Sequence, residues 1–384
     1  VNVAPRHARR RVWISRLLCG ALLPAMGLAP AFAAQARHAR AAAANEAPPG
    51  GMTIQVKSDR LTLAVAKVPQ VYLAGPIDVG APQRFEALLK AGRIPAGSDI
   101  YLDSPGGDLA AGLALGRLFR SGWMATHLGA WRKPSRSFSP PRAARCLDAC
   151  TYAYLGGLYR WAPTGIDRIG LHQAALPELR SGNAQAGASS PAALAAYLQA
   201  MDVRPEYFAH VLAPPREDIV WLDAEQMFPW RVANNGRLPL AVTYQPTPGS
   251  PELTLTQVVR GGQNKVALQC APDGVTLTAY YVVGTDRARR LATGQARSYF
   301  EVGRQEVRPR QAARPRVVND AVAFSRPLPF SQLAGLIATD SLGAWVQGPG
   351  SALRYGFTIA PVTARARTGR FYADCEAVQR RHAP

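Results

Sequence analysis

Three short phrases carry residue types that could do chemistry together: Ser104-Pro105-Gly106-Gly107, Cys146-Leu147-Asp148-Ala149-Cys150-Thr151 and Ile169-Gly170-Leu171-His172-Gln173. The paired glycines let the chain turn sharply and bring bare backbone amides close to a ligand. The apolar run from Leu109 to Arg120 reads as a helix that follows directly, so those amides stand at its positive end, where a developing oxyanion is stabilised. A thiol at the start of the next helix, beside an imidazole, has a lowered pKa and is a competent nucleophile. Cys150 and His172 are the candidates for nucleophile and general base. A structural reading of the same residues competes with this one. Cys146, four residues earlier, can form a disulfide with Cys150, and a bonded sulfur attacks nothing. A lone strand histidine can equally be a structural hydrogen-bond donor, and Pro-Gly-Gly can be an ordinary strand-to-helix turn.

The elements that must position these groups follow a repeated rhythm. Strands at Val71–Ala74, Ile100–Leu102, Trp123–His127 and Ile169–His172 alternate with helices at Pro82–Ala91, Leu109–Arg120, Ala149–Gly157 and Pro191–Met201. Such alternation predicts parallel strands with crossover helices, an α/β fold whose sites gather at strand ends. Before it, Thr53–Lys57 and Leu61–Ala66 alternate polar and apolar residues around Ser58-Asp59 and read as a hairpin. Trp131–Arg145 and Pro177–Ser190 lack apolar periodicity and read as surface loops beside the site. After residue 240 the composition shifts. A linker is expected over 241–252, then a second, mainly β domain over 253–384 with strands near Leu253–Val259, Lys265–Cys270, Val275–Val283, Arg297–Val302, Val317–Phe324 and Tyr355–Ile359 and a short helix at Pro329–Ile337.

The first 34 residues have the make-up of a cleavable export signal: a basic start at Arg6, Arg9, Arg10 and Arg11, an apolar stretch from Val12, and the small-x-small triplet Ala31-Phe32-Ala33. Arg16, Pro24 and Pro30 interrupt that stretch, which argues against a membrane-spanning helix. Residues 35–51 are rich in Ala, Arg, Pro and Gly and read as a disordered leader; the folded domain is expected over 52–240. The chain carries a formal charge of +20, which falls to +15 without the five signal arginines. Its basic residues are scattered and no helix-turn-helix or zinc-ligand spacing occurs, so the charge reads as arginine-rich composition with a surface suited to anionic envelope polymers or lipids rather than as a nucleic-acid interface. Beyond the signal, Cys146, Cys150, Cys270 and Cys375 make an even set, and proximity pairs Cys146 with Cys150 and Cys270 with Cys375 in an oxidising compartment.

Taken in order, the three phrases resemble the catalytic core of the Clp protease proteolytic subunit, in the ClpP/crotonase superfamily, over roughly residues 68 to 235. The likeness is closest to exported Clp-protease-like proteins with a Cys-x-x-x-Cys phrase before a small-residue helix. It implies a repeated β-β-α core in which Ser104, Pro105 and Gly106 support the turn, Gly107 and Thr151 supply the oxyanion-hole amides, and His172 is the base. The family's helix-starting serine is missing. The resemblance places Cys150 there and leaves Asp202, Asp218 and Asp223 as candidates for the third member of the triad. Two functions follow as expectations. One is a periplasmic or secreted degenerate peptidase-fold module that binds a peptide or an envelope polymer in the retained groove. The other is a peptide or ester hydrolase using Cys150 and His172. No cofactor, metal, nucleic acid or stable membrane span is expected, and a homo-oligomer is compatible with either.

Overall fold

Alternation along the first strands buries one face of a five-stranded sheet. In the computed structural model, which describes residues 49–130, 142–172, 190–207, 218–293, 297–307, 314–348 and 350–381, the chain begins with β1 (Thr53–Lys57), α1 (Arg60–Ala66), β2 (Gln70–Ala74), α2 (Ala81–Lys90), β3 (Asp99–Asp103), α3 (Leu109–Ser121) and β4 (Ala125–Leu128). It continues through β5 (Arg145–Leu147), α4 (Ala149–Leu155), β6 (Tyr159–Arg160), β7 (Arg168–His172), α5 (Pro191–Ala200), β8 (Ile219–Trp221) and α6 (Ala224–Met227). The sheet order is β1-β2-β3-β4-β6, with β1 antiparallel and the others parallel. Val71, Leu73, Ile100 and Leu102 are fully buried in one cluster with Phe85 of α2 and Phe119 of α3. The alternate residues form a ring-on-ring row: Tyr72, Tyr101, His127 and Trp161 stack with centroids 4.8, 4.8 and 4.7 Å apart. The fold is α/β.

Two local expectations need correction. Leu61–Ala66 is part of α1, not the second arm of a hairpin, because Asp59 accepts hydrogen bonds from the Leu61 and Thr62 amides and caps a helix. The apolar alternation misled because Leu61 and Val65 are 73% and 75% exposed and report no buried strand face. The His172 strand, β7, lies outside the main sheet. It runs parallel to β5 and antiparallel to β8 in a three-stranded sheet of its own. The expected signal at 1–34, nearly all of the leader at 35–51, most of Trp131–Arg145, Gln173 and the Pro177–Ser190 loop except Ser190 lie outside the described residues.

The second half comprises β9 (Ala241–Gln245), β10 (Glu252–Val259), β11 (Gly262–Ala271), β12 (Gly274–Val282), α7 (Thr285–Thr293), β13 (Arg297–Val302), β14 (Gln305–Val307), β15 (Arg316–Val318), β16 (Ala321–Leu328), α8 (Leu333–Ala338), β17 (Leu342–Gln347), β18 (Arg354–Ile359) and α9 (Gly369–Arg381). Its sheets run β15-β16-β12-β11-β10-β9 and β14-β13-β17-β18, and every pairing is antiparallel. Residues 241–245, within the stretch read as a linker, form the edge strand β9. The two halves have separate apolar clusters, one drawn from 52–233 and one from 240–378. Arg260 of the second half bridges them: it pairs with Asp99, donates to the Gly97 carbonyl at 3.3 Å and lies 5.5 Å over the Trp161 ring. Among the described residues no helix is long and apolar enough to cross a membrane.

Candidate functional site

The Ser-Pro-Gly-Gly phrase is built as a rigid turn at the end of β3. The Ser104 main chain bridges to β5, donating to the Arg145 carbonyl at 2.6 Å and accepting from the Leu147 amide at 3.1 Å. Its hydroxyl, 1% exposed, exchanges hydrogen bonds with the Gly106 backbone at 3.2 Å, so Ser104 is a brace within the turn. Gly106 and Gly107 have φ of +104° and +135°, a region closed to side chains. A Cβ on Gly107 would lie 2.3 Å from the Ile77 carbonyl oxygen. Ile77 donates to Gly106 and accepts from Asp108, which caps α3 through a 2.7 Å bond from the Ala111 amide. Pro105 and Gly107 are exposed, and among the described residues the Gly107 N–H has no hydrogen-bond acceptor. A backbone donor is thus presented at the surface.

Beside that turn stands Asp148, the residue from which α4 begins. Its backbone, at φ +50° and ψ −114°, lies in a region that costs a non-glycine residue of order 1–3 kcal/mol. Neighbouring bonds hold it there: its amide donates to the Gly170 carbonyl at 3.2 Å, and its carbonyl accepts from Tyr152 at 3.2 Å. The carboxylate takes both polar groups of His172, Oδ1 accepting from the main-chain N–H at 2.6 Å and Oδ2 lying 2.7 Å from Nδ1. In the tautomer with Nδ1 donating, Nε2 is an acceptor that no described residue occupies. Asp148 is 18% and His172 36% exposed, so the pair opens to solvent. A Cβ on Gly106 would sit 3.3 Å from the Asp148 Cβ, which places turn, carboxylate and imidazole at one locus.

The cysteine phrase is organised differently from the nucleophile reading. Cys150 is bonded to Cys146 with both residues fully buried, so the thiolate expected at Cys150 does not exist. The helix starts at Ala149, one residue before Cys150, and the group at the turn is the carboxylate of its N-cap residue, Asp148. Thr151, whose main-chain amide is the expected second oxyanion donor, is held by its side chain. It is fully buried, and its hydroxyl donates to the Gly170 carbonyl at 2.6 Å and the Cys146 carbonyl at 3.1 Å, fastening α4 to β7 and β5. The second expected pair, Cys270 with Cys375, is also bonded and ties β11 to α9.

Among the described residues none of the aspartates proposed as the third triad member forms a hydrogen bond or ion pair with His172. Asp202 pairs with Arg231 at 2.5 Å, Asp223 caps α6 in a capping box, and Asp218 is exposed at the start of β8. Asp148 fills the role of partner to the histidine. It lies inside the Cys-x-x-x-Cys phrase, where it reads as a spacer. The available signal was a short polar residue before a small-residue helical run, the ordinary mark of a helix start. Among the described residues no group of three His, Cys, Asp or Glu side chains could hold a metal ion.

No protein-family model matches this chain, and no curated protein does. Among solved structures it is similar to a mutant of the 1510-N membrane-bound stomatin-specific protease, at 20% identity over 42% of this chain and 75% of that one, with a TM-score of 0.28. It is also similar to a mutant of ClpP1 from Listeria monocytogenes, at 13% identity over 45% of this chain and 94% of that one, with a TM-score of 0.25. Both likenesses span less than half of this chain.

Proposed function

We propose that this chain is an exported, degenerate peptidase-fold module that holds a peptide or an envelope polymer at the Gly107 turn without cleaving it. The observation that carries the reading is Asp148. A hydrolase of the kind the sequence resembles needs an alcohol or thiol where the helix leaves the turn, and here a carboxylate stands there with both oxygens engaged by His172. A carboxylate can attack an activated centre, but two short hydrogen bonds from one residue occupy both its oxygens and leave it a poor nucleophile while its charge stays in place. The disulfide between Cys146 and Cys150 supports this reading over the thiol alternative. What the locus offers is the Gly107 donor and the His172 Nε2 acceptor, beside a negative charge that disfavours ligand carboxylates. Neutral amide or sugar groups of a polymer suit that pattern. Two disulfides accord with a periplasmic or secreted protein, and the β-rich second half offers a surface for a partner.

The test pairs chemistry with binding on non-reduced mature protein. Peptide mapping is expected to recover both bridges, and fluorogenic peptides and nitrophenyl esters are expected to show no enzyme-dependent turnover, while an immobilised peptide library or peptidoglycan retains the protein. Turnover that disappears in Cys150→Ala, with Cys150 alkylated in the absence of reductant, would establish the thiol hydrolase in its place.

A further inference from the structure

The C-terminal end of α4, away from Asp148, is crowded with cations. Arg160 donates through Nη1 to the Leu155 and Gly157 carbonyls at 3.1 and 2.9 Å, and Arg120 donates through Nε and Nη2 to Gly156 and Gly157, each at 3.1 Å. Both also reach the Met201 carbonyl. These carbonyls form the negative end of the helix, which explains why two guanidinium groups gather there. Burial, and next the charge of Arg120, pushes the Arg160 pKa down to about 10.

Further arginines surround this pair. They line a cleft of about 580 Å³ between the two halves, with Arg204 and Arg231 from the first half, Arg237 from the segment that joins the halves and Arg367 from the second. Among the described residues the lining holds one carboxylate, Asp202, already paired with Arg231 at 2.5 Å. Arg367 donates to the Leu240 carbonyl at 2.7 Å, Arg237 has a long 3.4 Å contact to the Thr358 hydroxyl, and the Arg204 side chain makes no hydrogen bond to the described residues. Six arginines against one aspartate leave the cleft strongly positive, and its concave walls concentrate that field. The cluster repels itself unless an anion lies within it. Guanidinium forks match the paired oxygens of phosphates and carboxylates, and the volume suits a small molecule.

We propose that this inter-half cleft binds a small polyanion carrying at least two phosphate or carboxylate groups, with Arg204 and Arg237 as its primary contacts from the two sides. The site is separate from the Asp148 locus, and its ligand would bridge the halves. Calorimetric titration of the intact mature protein at matched ionic strength tests this with pyrophosphate, citrate and, as a monovalent control, acetate. Saturable one-site binding of pyrophosphate or citrate but not acetate is expected, and the preferred anion distinguishes phosphate from carboxylate chemistry. Combining Arg204→Ala with Arg237→Ala should weaken binding about tenfold or more, as loss of one or more charge-assisted hydrogen bonds requires. The exposed α7 pair Arg287→Ala and Arg290→Ala should leave it unchanged. Arg204→Gln, which breaks no hydrogen bond within the described protein, should weaken it several-fold with an unaltered circular dichroism spectrum. Absence of saturable binding, or equal weakening by the cleft and α7 variants, would overturn the proposal.

Discussion

At the scale of single residues, two aspartates organise the first half, each through hydrogen bonds to backbone as well as side chain. Asp148 joins the Gly-Gly turn to His172. Asp78 accepts from the Met52 and Gly80 amides at 3.0 Å and forms a two-pronged bond to Arg84, whose Nη2 also donates to the Met52 carbonyl. The Arg84 hydrogen bonds chiefly, with the amides adding and burial opposing, lower the Asp78 pKa to about 2. An unfolded aspartate titrates near ~3.9. The folded state therefore gains stability that is fully present above pH 4 and is lost as the pH falls through 4 towards 2. Asp78→Asn should cost about 1–2 kcal/mol at neutral pH, allowing for the partial exposure of the carboxylate, and urea melts of variant and parent should converge near pH 2. The sequence revealed His172, the glycine turn and both cysteine pairs, because each is marked by residue type and spacing. The helix start at Ala149 was legible but the part of Asp148 was not: only the structure shows that the carboxylate of the residue capping α4, two before the buried half-cystine Cys150, faces His172.

At the scale of elements, glycines and disulfides decide how closely pieces approach. A Cβ on Gly112 would lie 2.4 Å from the Ala149 carbonyl oxygen and one on Gly156 2.3 Å from the Gly116 Cα, so α3 and α4 cross nearly backbone to backbone. That close crossing seats Asp148 against the turn. The two disulfides close loops of very different size, with sequence separations of 4 and 105. On chain entropy alone they contribute about 2 and about 5 kcal/mol respectively. Replacing Cys270 and Cys375 together by alanine should therefore lower the midpoint of denaturant unfolding well beyond the same change at Cys146 and Cys150. A larger loss from the short loop would show that the α4 bridge does more than restrain the unfolded chain. The strand and helix rhythm from β2 to α4 was readable because apolar alternation coincided with burial. It failed at α1, where the alternating residues face solvent, and it missed β17, α7 and α9, whose short or charge-rich sequences give weak periodicity.

At the scale of the whole molecule, the halves meet at the end of the aromatic row on the first sheet. Arg260 covers Trp161 and pairs with Asp99, which also lies 3.1 Å from His127 Nε2. Arg260→Ala should leave both apolar clusters intact while removing this clasp. A cost of about 2 kcal/mol, faster cleavage by a protease near the junction and separation of one unfolding transition into two are expected; an unchanged single transition would show that the halves are held by other contacts. The junction carries the arginine cleft proposed to bind an anion, whereas the Asp148 locus belongs to the first half alone. The central claim of the proposed function is that the Asp148 carboxylate occupies, beside the Gly106-Gly107 turn and His172, the place an attacking hydroxyl would need. Its most direct measurement is fluorophosphonate labelling of the intact, non-reduced protein beside its Asp148→Ser variant, with the labelled residue identified by mass spectrometry. The account predicts no labelling of the parent and covalent labelling of the variant at residue 148. Labelling of the parent, or a folded variant whose new serine remains unlabelled, would contradict it.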